Sequence, residues 1–114
     1  MTTHTMRRYT LRLTAQLEEL VEARRVELGN DPMHLAYHAD DVTTAYALTH
    51  IITQGMINAR RGYAELGPVT GATTRTTKVL INPAFNQIIE LLATRASLST
   101  HATLRALIVA GASS

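Results

Sequence analysis

Apolar and polar residues alternate over Arg8-Tyr9-Thr10-Leu11-Arg12-Leu13-Thr14. That pattern predicts a half-buried strand, because successive side chains of extended chain point to opposite faces. In such a strand Tyr9, Leu11 and Leu13 face a core, while Arg8, Thr10 and Arg12 face outward. The period then lengthens. From Ala15 to Leu28 the residues Leu17, Leu20, Val21, Ala23 (or Arg24) and Leu28 recur at helical spacing, Thr14 stands where a capping hydroxyl is needed, and Gly29-Asn30-Asp31-Pro32 stops the helix. Residues 34–38 carry no clear period. A second long helix is predicted from a cap at Asp40 or Asp41 to about Ile57, with Tyr46, Ala47, Leu48, Ile51, Ile52 and Met56 on its apolar side.

Residues 60–75 contain three Gly and one Pro and read as a linker. After it the order of signals begins again. Thr76-Thr77-Lys78-Val79-Leu80-Ile81 is strand-like, Asn82 is a cap, and Pro83 occupies the first helical position, where its missing N–H costs nothing. A helix to about Thr94 carries Phe85, Ile88, Ile89, Leu91 and Leu92. Residues 97–100 supply a turn and a cap, and a last helix with Leu104, Leu107 and Ile108 is closed by Gly111. With an offset of 68, Leu11 aligns with Val79, Leu13 with Ile81, Thr14 with Asn82 and Leu17 with Phe85; with an offset of 56, Leu48 aligns with Leu104, Ile51 with Leu107, Ile52 with Ile108 and Gly55 with Gly111. The expected fold is mainly α with a short antiparallel β-ribbon. It is a strand-helix-helix unit repeated twice in tandem, with a first unit at 7–59, a linker at 60–75 and a second unit at 76–112.

Composition narrows the picture. In 114 residues there are one Phe, four Tyr and no Trp, so the core is built from Leu, Ile, Val and Ala, which suits packed helices. With no Cys, disulfides, thiolate metal sites and cysteine nucleophiles are excluded. The first residues have no apolar stretch of signal-peptide length, and no run long enough to span a bilayer occurs, so a cytoplasmic protein without a membrane partner is expected. The net charge of +2 is unevenly spread: residues 1–14 carry +3, residues 15–59 carry −5, and residues 60–78 carry +3. Positive charge therefore gathers in and just before the two strand-like segments.

One strand followed by two helices, in units this short, resembles the ribbon-helix-helix family of the Arc and MetJ repressors. The second half carries the likeness best, with Lys78-Val79-Leu80-Ile81-Asn82-Pro83-Ala84-Phe85 at the strand and helix start and Arg95-Ala96-Ser97-Leu98-Ser99 at the turn. The first half departs in its long inter-helix segment. Two units in one chain also resemble, more loosely, the TraY-type accessory proteins of plasmid conjugation. The resemblance implies that two strands pair as an antiparallel ribbon over four helices and enter the major groove of double-stranded DNA, where base edges present a distinguishable pattern. The implied base-reading residues are Arg8, Thr10 and Arg12 from one strand and Thr76, Lys78 and Leu80 from the other. Leu80 is the apolar exception, suited to a thymine methyl or to a protein contact.

Phosphate contacts are expected from Arg7, Arg75 and the helix start at Ser99 and Thr100; the other helix start, near Asp41–Thr44, is disfavoured because Asp40 and Asp41 repel phosphate. The expected function is sequence-specific DNA binding, as a transcriptional repressor or a plasmid or phage DNA-processing accessory. No enzyme activity, cofactor or metal is expected. The alternative is a protein-interaction module, antitoxin-like or a phage-encoded inhibitor, which keeps the fold without DNA and engages a protein partner or a second copy. A third arrangement, an all-helical dimer, follows if residues 8–14 and 76–81 are not strands. His34 and His38, four apart beside Asp40 and Asp41, form only a weak metal pattern. Ser97 and His101 read as a capping serine and an exposed histidine rather than a catalytic pair.

Overall fold

The computed structural model describes residues 6–33 and 42–112. Strand β1 (Arg7–Thr14) leads directly into helix α1 (Ala15–Gly29), and helix α2 (Thr44–Arg60) follows. Strand β2 (Thr73–Ile81) then precedes helices α3 (Pro83–Ala96) and α4 (Thr100–Ala112). The two strands form one antiparallel sheet within the chain, with Arg8 opposite Leu80, Thr10 opposite Lys78 and Arg12 opposite Thr76. Strand pairing removes the all-helical alternative.

The expectation of a strand-helix-helix unit repeated twice in tandem is corrected. Among the described residues there is a single two-stranded sheet, to which each half lends one strand, and helices α1 to α4 close over one continuous core. Neither half is a unit in its own right, because a lone strand leaves its backbone groups unpaired and its apolar side chains uncovered. The halves also differ in build. Residues 30–43 separate α1 from α2, whereas only residues 97–99 separate α3 from α4.

Period-2 and period-3.6 patterns meet in that core. Leu11, Leu13, Val79 and Ile81 point inward from the sheet and are at most 3% exposed. They meet Leu17 and Val21 of α1, Leu48, Ile51 and Ile52 of α2, Ile89 of α3, and Leu104, Leu107 and Ile108 of α4. Caps set the strand-to-helix corners. Thr14 Oγ1 accepts from Leu17 N at 3.2 Å, and Asn82 Oδ1 accepts from Phe85 N at 2.8 Å, so the last residue of β1 and the residue just after β2 each cap the next helix. The cap of α2 is Thr43, whose hydroxyl accepts from Tyr46 N at 3.1 Å, so that helix starts later than an Asp40 or Asp41 cap would place it. It also runs beyond Ile57 to Arg60, where Gly62 at φ +77° turns the chain. Strand β2 begins at Thr73, inside the stretch that composition marks as linker. A register shift between Leu13 and Thr14 leaves Thr74 without an opposite residue, and its hydroxyl donates to Leu13 O.

Helices α2 and α4 cross in close backbone contact. A Cβ on Gly55 would lie 2.0 Å from Leu107 O, and a Cβ on Gly111 would lie 2.0 Å from Ile51 O. Each helix thus presses a glycine onto the other's backbone, which only a residue without Cβ permits. Asn58, buried beside this crossing, donates to Ala110 O at 2.9 Å.

Arg24 sits on the inward side of α1, its side chain only 12% exposed, in a row with Leu17, Val21 and Leu28. Its guanidinium donates to Gly111 O at 2.9 Å and lies 3.2 Å from His50 Nδ1. A cation thereby satisfies a carbonyl at the C-terminal end of α4, where the helix dipole favours positive charge. Among the described residues no helix is long and apolar enough to cross a membrane.

Candidate nucleic-acid interface

Register and parity decide what the sheet shows to solvent. Arg8, Thr10 and Arg12 are exposed on β1, and Thr76, Lys78 and Leu80 are exposed on β2. Because Arg8 faces Leu80, Thr10 faces Lys78 and Arg12 faces Thr76, all six lie on one face as three cross-strand pairs. Three of the six are cations and none is an acid. Four residue steps separate Arg8 from Arg12, about 14 Å along the strand at ~3.4 Å per residue. That length matches about four base-pair steps.

The helix starts flank this face. Ser99 caps α4: its hydroxyl accepts from Ala102 N at 3.0 Å and its carbonyl accepts from Thr103 N at 2.9 Å. At the second residue of α4, His101 Nε2 accepts the Arg12 backbone N–H at 3.1 Å, which ties the Ser99–Thr100 end to the free edge of β1. His101 is half-buried, so the expectation of an exposed histidine is corrected; an edge strand's amide needs an acceptor, and the helix start supplies one. Burial, then the nearby Arg105 and Arg12 cations, hold its imidazole below the ordinary value. Ser97 is not the cap of α4; it ends α3 in the left-handed region at φ 58°. On the other edge, Thr44 at the start of α2 lines a cleft with Leu13, Glu18, Glu22, Arg75 and Thr77. Asp40 and Asp41, like His34 and His38, lie outside the described residues.

The remaining phosphate candidates are placed differently. Arg75 is exposed but has the parity of Thr77 and Val79, so it lies in the cleft with Glu18 and Glu22 and off the six-residue face. Arg7 is exposed at the start of β1, opposite Ile81. Arg105, absent from the sequence-derived candidates, lies one turn beyond His101 on α4. Its Nε and Nη2 are buried and have no hydrogen-bond partner among the described residues. Neither His101 nor Arg105 carries a sequence signal for its position, since both depend on how α4 docks against the β1 edge.

Leu80 is 49% exposed, although Val79 and Ile81 on either side are each 3% exposed. Away from the ribbon, an apolar groove between α2 and α3 is lined by Met56, Ile57, Phe85 and Ile88, with Arg60 and Arg61 at its rim. Among the described residues no group of three or more His, Asp or Glu is placed to hold a metal ion. No protein-family model matches this chain, and neither a curated protein nor a solved structure matches it.

Proposed function

We propose that the chain binds double-stranded DNA in a sequence-specific way through its two-stranded ribbon, which enters the major groove. The observation that carries this reading is the exposed face of three cross-strand pairs, with Arg8, Arg12 and Lys78 and no carboxylate. A major groove about 12 Å wide admits such a ribbon. Arg8 and Arg12 are suited to donate paired hydrogen bonds to guanine O6 and N7, each worth about 1–3 kcal/mol of discrimination. Thr10 and Thr76 offer hydroxyls, and Lys78 a single mobile cation. The α4 start at Ser99 and Thr100, beside the β1 edge, is suited to a backbone phosphate, with Arg7 as a further contact. The resemblance of the Lys78–Phe85 segment to the ribbon-helix-helix family supports the same reading. On this reading the protein is a transcriptional repressor or a DNA-processing accessory of a plasmid or phage. It works in the cytoplasm, where its target lies, and it needs no cofactor and catalyses no reaction.

Titration of fluorescent genomic fragments tests the reading. Binding is expected to weaken steeply with salt, and Arg8→Ala and Arg12→Ala are each expected to reduce affinity for the preferred fragment about tenfold or more. Unchanged affinity in both variants sinks the ribbon-reading model. A second reading, a protein-interaction module, is favoured by exposed Leu80 and by the α2–α3 groove. Its distinctive result is a stoichiometric protein partner from the native host in the absence of DNA.

A further inference from the structure

The two ends of the exposed ribbon face are chemically unequal. At one end Arg8 stands opposite Leu80, and at the other Arg12 stands opposite Thr76. A half-turn about the centre of the ribbon brings Arg8 onto Thr76 and Arg12 onto Leu80, so a duplex turned end for end meets a different group at each of these positions. Leu80 is not needed by the core. Val79 and Ile81 already fill the buried parity of β2, and Leu80 holds half its surface in water on a face otherwise made of cations and hydroxyls. In the major groove the apolar feature of the base edges is the thymine C5-methyl. Neighbouring strands lie about 5 Å apart, which puts a methyl under Leu80 about one to two base-pair steps from a guanine under Arg8.

Resting on the DNA-binding reading, we infer that the target is an asymmetric duplex. Its Arg8 end carries a guanine with a neighbouring thymine, the thymine being recognised through its methyl group by Leu80. The Arg12 end carries a guanine without that thymine. Leu80 is thus a specificity-determining residue, and it sets the polarity with which the chain lies on its site.

The test selects duplexes from a random-core library with the full chain and then replaces each thymine of the preferred sequence, one at a time, with uracil. That exchange removes a methyl and leaves the hydrogen-bonding edges intact. The expected result is a non-palindromic sequence in which one uracil lowers affinity about fourfold, the value of one buried CH₂. Leu80→Ala is expected to bind the thymine and uracil duplexes equally, and Arg8→Ala to relax the guanine requirement at the thymine end alone. A palindromic preferred sequence, or equal affinity of the unmodified protein for all uracil duplexes, overturns the inference while leaving DNA binding in place. Failure to enrich any duplex overturns the DNA-binding reading itself, and this inference with it. The uracil comparison on the unmodified protein stands whether or not the Leu80 variant folds.

Discussion

The inward and outward faces of the ribbon differ by a single residue step along the same two strands. Inward, Leu11, Leu13, Val79 and Ile81 are sealed against four helices. Outward, Arg8, Thr10, Arg12, Thr76, Lys78 and Leu80 are exposed among the described residues. Core residues are held to their size and shape by close packing, so their identity is explained by the fold. The outward residues are not explained that way: three cations and one large aliphatic group on one face repel each other or lose apolar surface to water. The fold tolerates that face without requiring it, which is why its composition is informative about function.

Substitutions that separate the two faces sharpen the comparison. Leu11→Ala removes a fully buried side chain from beneath the sheet and is expected to cost about 2–5 kcal/mol of stability, measured by denaturant unfolding. Gly55→Ala drives a methyl into the Leu107 carbonyl. The expected loss is about 1–3 kcal/mol, and Gly111→Ala should match it because the contact is reciprocal. Thr14→Ala removes the hydroxyl that joins β1 to α1, with an expected cost of about 1 kcal/mol.

A smaller effect is expected from pH. The His101 imidazole is held below its ordinary value of 6.5, so below that pH the unfolded chain takes up a proton more readily than the folded one. Stability from this group is therefore full above pH 6.5 and declines as pH falls below it, and protonated Nε2 no longer accepts the Arg12 N–H. Unfolding midpoints of the wild type and His101→Ala, measured at about pH 7 and about pH 5.5, should differ less at the lower pH. At the far end of the scale, Arg8→Ala and Arg12→Ala should change stability by no more than about 0.5 kcal/mol while weakening duplex binding. A large loss of stability in either variant breaks the division between the faces.

Much of this architecture is legible in the chain. Strand parity, both strand-end caps and the apolar faces of the helices follow from local periodicity and from the few residue types that satisfy orphan amides. The six outward residues are legible for the same reason, since alternation places them on one side of each strand. Other features are not local. Whether repeated signals make two units or one body depends on where each strand finds its partner, and here each half pairs with the other. The Thr43 cap competes with two nearby aspartates that look equally suitable in sequence. Arg24 interrupts an apolar row and reads as a defect until the end of α4 arrives to receive it. His101 carries no hint of its acceptor role before α4 docks, and Arg75 sits among threonines in sequence yet turns into the cleft.

The amino-acid sequence by itself determined the elements, the caps at Thr14 and Asn82 and the chemistry of the exposed strand positions, because those depend on interactions within a few residues. Only the tertiary structure decided that the two halves share one sheet and one core among the described residues. It also set the antiparallel register that puts Arg8 across from Leu80 and Arg12 across from Thr76. Register is a property of two distant segments packed on a common core: the glycine crossing of α2 and α4 and the corners at Thr14 and Asn82 hold those segments in place, and no local pattern encodes the pairing.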